Sequence, residues 1–162
     1  MVGMIDPERD GVRDSIAECK TAGIIPIMIT GDSLNTALAI SKNIGLCSDD
    51  SEGIEGKELS KYSDAEMVNL VKKYKVYARV SPDDKVRIVK AWQKNGKVVA
   101  MTGDGVNDAP SIKLAHIGIG MGQGGTEVTK SVADILLLDD CFNTIVSAIK
   151  EGRRIYDNIK IA

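Results

Sequence analysis

Two aspartates and two glycines lie within TGDGVND, residues 102–108, directly after the short apolar run VVAM. Carboxylates this close repel each other unless a cation neutralises them, and Mg²⁺ prefers hard oxygen ligands with positions left for water. The glycines let the backbone approach a ligand. Asp104 and Asp108 are therefore candidate Mg²⁺ ligands. The alternative is a capped glycine turn, in which Asn107 or Asp108 caps the following helix.

A second group of polar residues follows the apolar run that ends in ITGD. Thr30 offers a hydroxyl, and the next residues offer free backbone N–H groups at the start of a helix, where a phosphate oxygen can bind. Thr30 and Gly31 are therefore candidate phosphate-binding residues. The alternative is an ordinary turn in which Asp32 or Ser33 caps the helix.

A third group lies in YARVSPDDK, residues 77–85. Arg79 ends an apolar run, and Ser81 with the proline after it predicts the start of a helix that carries Lys85 in its first turn. An ammonium group near a phosphate and Mg²⁺ can stabilise negative charge on a transferring group. An isolated lysine is otherwise most often a solvated surface residue.

Short runs rich in Ile and Val alternate with stretches of helical spacing along the whole chain. The runs are 24–30, 75–80, 97–103, 117–121 and 134–140, and the helical stretches are 9–22, 33–45, 63–74, 82–95, 107–116 and 141–157. The alternation predicts an α/β fold, a Rossmann-like three-layer sandwich with a mainly parallel sheet. The segment 46–75 contains acids and glycines with no clear period over 47–63, which indicates a variable loop and helix insertion.

Ligands of open parallel sheets bind beyond the carboxyl ends of the strands. We therefore expect Thr30, Lys85 and Asp104 to converge at one sheet edge. A hydroxyl, a cation and an Mg²⁺-binding pair of acids suit phosphoryl transfer, but these residues include no nucleophile.

Composition and charge exclude several classes of protein. The net charge of −2 argues against a general nucleic-acid surface. The 3 cysteines have no CxxC spacing and, with 1 histidine, make a poor zinc set, so reduced thiols in a cytosolic compartment are expected. No apolar run approaches the ~20 residues that span a bilayer, so the chain as given is expected to be soluble.

Taken together, these motifs resemble the second half of the phosphorylation domain of cation-transporting P-type ATPases, in the haloacid dehalogenase-like superfamily. The similarity covers nearly the whole chain and is weakest over 47–74. TGDGVNDAPSIK is highly specific to that family, and the pattern is closest to the calcium-pumping and related light-metal group. The stretches that carry the similarity are DPERDGVRDSI (6–16), AGIIPIMITGDSLNTALAISKNIGL (22–46), residues 77–142 and EGRRIYDNIK (151–160).

The resemblance implies a catalytic set and a cofactor. It implies that Mg²⁺ is the cofactor, that ATP is the substrate of the parent pump, and that the domain lies on the cytoplasmic side with 151–162 leading toward a membrane helix. The implied catalytic residues are Thr30, Lys85, Asp104 and Asp108; Thr30, Gly31, Lys85 and Asn107 would bind phosphate, Asp104 and Asp108 the metal, and Asp32 and Arg79 the nucleotide.

No DKTG occurs among the 162 residues, whereas the resemblance implies that an aspartate in DKTGT, on a central strand of the sheet, accepts the phosphoryl group. We therefore interpret residues 1–162 as a partial phosphorylation domain of a pump, with calcium favoured as the transported ion. Its partners would be the nucleotide-binding, actuator and membrane domains. Alone it is expected not to turn over ATP, and its exposed sheet edges invite rearrangement or a homodimer.

Alternatives stay open at this point. Asp6 ends the apolar run MVGMID, at the spacing of a βαβ unit from ITGD, and as a surrogate nucleophile it would make the chain a weak phosphatase. Pro7, Glu8 and the absence of residues for a flap argue against this role. A stand-alone, non-catalytic binding module of the same fold is a further alternative. For a dinucleotide-binding oxidoreductase, GIGMGQGG offers only a superficial glycine-rich turn near the end of the chain.

Overall fold

The computed structural model describes residues 11–161, in which helices and strands alternate. The strands are β1 (Met28–Thr30), β2 (Gly53–Glu55), β3 (Val76–Ala78), β4 (Ala100–Gly103), β5 (Ile117–Met121) and β6 (Ile135–Leu137). The helices are α1 (Val12–Thr21), α2 (Leu34–Asn43), α3 (Gly56–Leu59), α4 (Asp64–Leu70), α5 (Pro82–Lys94), α6 (Ala109–Leu114), α7 (Glu127–Val132) and α8 (Phe142–Ile161). Short 3₁₀ turns occupy Asp50–Glu52 and Val106–Asp108.

All strand pairs are parallel, and they form two three-stranded sheets. One sheet has the order β1-β3-β2 and the other the order β4-β5-β6. Within the described residues, β1 and β4 therefore each pair on one side only, and a cavity of about 520 Å³ is lined by both of them. The parallel pairing confirms the predicted α/β fold with a mainly parallel sheet, and the break between β1 and β4 agrees with the expectation that the central nucleophile strand is missing.

Helices cover both faces of the strands, as the predicted three-layer fold requires. Val76 and Ala78 of β3 pack in one apolar cluster with residues of α1 and α2. Tyr77, between them in the sequence, packs with Met67 of α4 and Trp92 of α5. Because successive side chains of a strand point to opposite faces, the two clusters lie on opposite sides of the sheet.

The segment after α2 is more ordered than the sequence predicts. Strand β2 lies within 47–63, where a loop was expected, and it pairs with β3 so that Ile54 is opposite Tyr77. Gly53 makes this possible, because a Cβ there would lie 2.8 Å from Leu34 Cδ1 and 2.9 Å from Leu38 Cδ2. The prediction of an irregular loop is wrong for this strand, since three residues with one buried Ile carry too short a pattern to reveal it.

Helix α5 begins with a capping box. The Ser81 hydroxyl accepts the Asp84 N–H (3.1 Å), and the Asp84 carboxylate accepts the Ser81 N–H (3.0 Å). Pro82 occupies the first helical position, where its missing N–H costs nothing. The cap fixes where the helix begins and so places Lys85 near the carboxyl ends of the strands.

All three cysteines are free thiols, and Cys19 and Cys47 are buried. Burial is the main cause that raises the pKa of both thiols above the ordinary value, so they stay protonated at neutral pH. Separately, no helix among residues 11–161 combines the length and the apolar character needed to cross a membrane.

Replacement of the α5 cap gives a direct test of this helix start. Ser81→Ala removes the hydroxyl that accepts the Asp84 N–H, so the free energy of unfolding should fall by about 1 kcal/mol. Urea denaturation followed by circular dichroism measures the change. The control is Ser131→Ala, because among residues 11–161 the Ser131 hydroxyl in α7 bonds to the Val128 carbonyl one turn earlier and to no other group. An equal loss in both variants would contradict the capping role.

Candidate functional site

The predicted strand ends meet around the cavity between the two sheets. Its polar lining includes Thr30 and Gly31 at the end of β1, Asp104 after β4, Lys85 of α5 and Asp108. Five of the eight site residues named from the sequence therefore border one cavity. This convergence arises because parallel strands present their carboxyl ends at the same edge.

Lys85 and Asp108 form an ion pair in the wall of the cavity. The Lys85 Nζ lies 2.5 Å from Asp108 Oδ1, and the two side chains are only 15% and 11% exposed. The other Asp108 oxygen accepts the Gly105 N–H at 3.2 Å. A Cβ on Gly103 would lie 2.5 Å from the Cβ of Asp108, so this glycine allows the aspartate to pack against the strand. Lys85 thus neutralises a carboxylate that is largely removed from water.

Asp104 differs from Asp108 in its surroundings. Its side chain is exposed and makes no hydrogen bond or ion pair with the described residues. Its backbone is fixed instead: the carbonyl oxygen accepts the Thr126 N–H at 2.8 Å and lies 3.3 Å from the Thr129 hydroxyl. The same hydroxyl donates to the Gly105 carbonyl at 2.9 Å. The start of α7 therefore holds the turn that presents the Asp104 carboxylate.

The ITGD turn is closed by two hydrogen bonds between Thr30 and Asp32. The Thr30 hydroxyl donates to Asp32 Oδ2 (3.0 Å) and accepts the Asp32 N–H (3.1 Å). Gly31 is exposed, and nothing lies within 4 Å of the position a Cβ would take. Ser33, not Asp32, caps α2 by accepting the Thr36 N–H. Space for a ligand therefore remains above Gly31.

Three of the site residues named from the sequence, Arg79, Asn107 and Asp32, do not line the cavity. Arg79 is exposed and has a left-handed backbone with φ of 49°. Asn107 is also exposed, within the 3₁₀ turn. Asp32 reaches the cavity only through Thr30. The surrogate nucleophile considered above, Asp6, lies outside the described residues.

Two residues that support the site were not identified from the sequence. Thr129 is fully buried and holds the Asp104 turn. Asp140 accepts the backbone N–H groups of Gly122, Gln123 and Gly124 at 2.7, 3.1 and 2.6 Å, which fixes the loop that leads to α7. The doubled acid that ends the apolar run DILLLDD was the available signal for Asp140. Thr129 gave no signal, because it acts on backbone carbonyls.

The residues at the cavity fit an Mg²⁺ ion. The described part of the chain contains no group of three or more His, Cys, Asp and Glu side chains that could hold a metal by themselves. Mg²⁺ usually takes only one or two carboxylates from the protein, together with waters and phosphate oxygens. Asp104 supplies an exposed carboxylate, and Asp108 lies four residues further along the same turn. The arrangement can hold a phosphoryl group between this cation, Lys85 and the Thr30 hydroxyl.

Comparisons with known proteins agree with this chemistry. The sequence model of the haloacid dehalogenase-like hydrolases matches residues 1–116. The chain is 54% identical over 160 residues to Calcium-transporting ATPase 1 of Bacillus cereus, covering 99% of this chain and 18% of that protein. It is 49% identical over 160 residues to human Calcium-transporting ATPase type 2C member 1, covering 99% of this chain and 17% of that protein. The chain thus spans less than a fifth of the length of these relatives.

A solved structure shares the fold. It comes from a study of conformational changes in the catalytic domain of the CPx-ATPase CopB-B upon nucleotide binding. The sequences are 29% identical, the TM-score is 0.68, and the match covers 90% of this chain and 47% of the other.

Disruption of the Lys85–Asp108 pair tests its role in the cavity wall. Lys85→Met leaves the Asp108 carboxylate without its cation, so the free energy of unfolding should fall by about 3 kcal/mol. Adding Asp108→Asn should recover part of this loss, because the amide oxygen can still accept the Gly105 N–H. Urea denaturation measures both variants.

The matched control for this pair is Lys61→Met, which breaks a surface contact with Glu58 whose side chains are 62% and 50% exposed. Little change is expected there. If Lys85→Met proves no more harmful than Lys61→Met, the pair does not stabilise the cavity wall.

Proposed function

The chain belongs to the haloacid dehalogenase-like hydrolase family, and from this membership we propose that it forms the Mg²⁺- and phosphoryl-binding half of the aspartyl-phosphate site of an ATP-driven cation pump. The observation that carries the proposal is the meeting of Thr30, Lys85 and Asp104 at the strand ends around one cavity. Relatives named calcium-transporting ATPases match 99% of the chain, which supports calcium as the transported ion.

Each residue has a distinct task in this proposal. When the phosphoryl group binds, the Thr30 hydroxyl donates to one of its oxygens in place of Asp32 Oδ2, while it still accepts the Asp32 N–H. Gly31 donates its exposed backbone N–H to another oxygen of the group. Lys85 retains free N–H donors beyond the one given to Asp108, and these offset negative charge as the group transfers. Asp104, together with Asp108, holds the Mg²⁺, which supplies further charge neutralisation when bound. The site is preorganised because the Asp32 N–H bond to the Thr30 hydroxyl and the bonds of Thr126 and Thr129 to the Asp104 turn hold both turns.

Asn107, Asp32 and Arg79, which do not line the cavity, have supporting roles in this proposal. Asn107 is exposed next to the metal-binding turn and completes the phosphate contacts, while Asp32 and Arg79 lie on the side from which a nucleotide approaches. In the parent pump this part of the chain lies on the cytoplasmic side of the membrane, with the nucleotide-binding, actuator and membrane domains as partners.

The accepting carboxylate belongs to another segment of the pump in this proposal. A carboxylate nucleophile divides one difficult phosphoryl transfer into two easier steps. The 162-residue chain alone should therefore take up no phosphate from ATP or acetyl phosphate in the presence of Mg²⁺. Intact-mass measurement after an acid quench, which preserves an acyl phosphate, tests this, and a stable adduct on the chain would contradict the half-site assignment.

Coupled binding of Mg²⁺ and phosphate is a sharper test of the site. Both ligands occupy one cavity with opposite charge, so each should raise the affinity of the other by the same factor. Titration of inorganic phosphate followed by ³¹P NMR, with and without Mg²⁺, measures that factor. A phosphate affinity that does not respond to Mg²⁺ would overturn the proposal.

Removal of one carboxylate tests the metal assignment. Asp104→Ala should weaken Mg²⁺ binding at least tenfold, measured by isothermal titration calorimetry, because the exposed ligand on the turn is lost. Stability should hardly change, since the Asp104 side chain has no partner among the described residues. The control is Asp157→Ala, which removes an exposed carboxylate on α8. Unchanged Mg²⁺ affinity in Asp104→Ala would exclude this site.

A further inference from the structure

A second cavity lies at the opposite end of the strands from Thr30 and Asp104. Its volume is about 450 Å³, and it is bordered by the segments that precede β1 and β4 and by Ile117, the first residue of β5. Among the described lining residues, it shares only Ile27 and Ile29 with the cavity of the candidate site. We call it the amino-end groove. Its volume lies within the range of about 300–1,000 Å³ that is common for small-molecule pockets.

The floor of the amino-end groove is apolar and buried. Ile88, Val89 and Trp92 of α5 line it, and these residues are 2%, 2% and 8% exposed. Ile29 of β1 packs both with the cluster that contains Trp92 and with the cluster that contains Val89. The apolar face of α5 therefore forms the floor, and a chain of methylene groups lying on it would be removed from water.

Apolar side chains at the rim of the groove are open to solvent. Val98, Ile25 and Ile117 line the groove and are 77%, 46% and 38% exposed. Grouped apolar side chains that remain exposed mark a surface for a ligand or a partner. Together with the floor, they favour a ligand with an apolar body over a small, fully polar one.

Two cations complete the rim. Lys97 and Arg153 line the groove, are exposed, and make no ion pair with residues 11–161. None of the described residues that line the groove is Asp or Glu. The formal charge of this lining is therefore entirely positive, which is complementary to a ligand with an anionic head.

Backbone hydrogen bonds hold both cations at the groove. Helix α5 is followed by Gly96, whose left-handed φ of 70° turns the chain so that the Lys97 N–H donates to the Trp92 carbonyl at 3.2 Å. Arg153 Nη1 donates to the Ala22 carbonyl at 2.8 Å. A guanidinium group has five N–H donors, so Arg153 keeps donors for an anion.

We propose that the amino-end groove binds a medium-chain fatty acid, with its carboxylate at Lys97 and Arg153 and its alkyl chain on the apolar face of α5. The orientation follows from the arrangement of the lining, because the cations lie at the exposed rim and the most buried apolar side chains form the floor. An uncharged chain would lose the ionic contacts, and a cationic chain would be repelled. The proposal does not depend on the phosphoryl site, which lies at the carboxyl ends of the strands.

Trp92 provides a direct probe of binding, because it is the single tryptophan of the chain and lines the groove. In the full 162-residue chain, 10-bromodecanoate below its micelle-forming concentration should quench Trp92 fluorescence in a saturable way, since bromine quenches indole only at short range. Decanoate should reverse the quenching by competition. The uncharged analogue 10-bromodecan-1-ol should bind at least tenfold more weakly. Quenching that does not saturate, or equal affinity for the acid and the alcohol, would overturn the proposal.

The length of the alkyl chain tests the contact with the floor. Decanoate should compete about fifteenfold more strongly than octanoate, because two further CH₂ groups leave water. The two acids have the same carboxylate, so binding through the cations alone predicts equal competition. Equal competition would therefore contradict the placement of the chain on α5.

Substitution of the two cations tests the anionic head. Lys97→Met and Arg153→Met should each weaken binding of 10-bromodecanoate by about fivefold, as expected for ionic contacts at an exposed rim, and leave the affinity for the alcohol unchanged. The matched control is Lys113→Met, which removes an exposed lysine of α6 that does not line the groove. If all three variants bind the acid equally tightly, the carboxylate does not bind at Lys97 and Arg153.

Discussion

The packing of α5 across the two sheets is the contact on which the rest of this structure depends. In the described residues no strand of one sheet pairs with a strand of the other, so hydrogen bonds do not fix their relative position. Helix α5 packs Ile88 and Trp92 against Tyr77 of the first sheet. Its Val89 packs against Met101 of the second sheet, within a cluster that Ile112 of α6 completes. One apolar helix face thereby holds both halves of the cavity.

The same helix carries the charge that completes the cavity. Lys85 lies one turn before Ile88 and Val89, so the packing that joins the sheets also sets the position of the ammonium group. Its partner Asp108 lies just before α6 and rests on Gly103. A mispacked α5 would therefore cost both the position of the sheets and the compensation of a carboxylate that is 11% exposed. Stability and site geometry depend on one element.

Much of the fold could be predicted from the sequence because its signals are local. Strand β5 agrees with the predicted run 117–121, and Ser81 caps α5 as the sequence predicts. A missing central strand could be predicted from the absence of DKTG, but which strands border the break could not, since that depends on which strands are neighbours. Strand β2 was missed because its pattern contains a single buried residue, Ile54. The need for glycine at position 53 becomes visible only in the structure, where a Cβ would collide with Leu34 and Leu38.

In the candidate site, too, residues marked by the local sequence could be predicted, whereas residues whose role depends on contacts with distant segments could not. Thr30, Lys85 and Asp104 could be identified because they follow strands whose carboxyl ends must meet. The distance of Arg79 from the cavity depends on its own backbone: with φ of 49° the chain changes direction immediately after β3. Thr129 and Asp140 were not predicted from the sequence because they bind backbone groups of segments far away along the chain. Such supports are visible only once the loops are placed beside each other.

The contrast between the two acids of TGDGVND follows from burial. Asp108 is largely out of water, and a charge there is tolerated only because Lys85 and the Gly105 N–H compensate it. Asp104 remains in water and makes no side-chain hydrogen bond or ion pair with residues 11–161. An ammonium group has three donors, and Asp108 takes one of them, so Lys85 can bind an anion without releasing the aspartate. The buried pair thus leaves N–H donors of Lys85 for the oxygens of a phosphoryl group, while the exposed Asp104 carboxylate is available to a divalent cation.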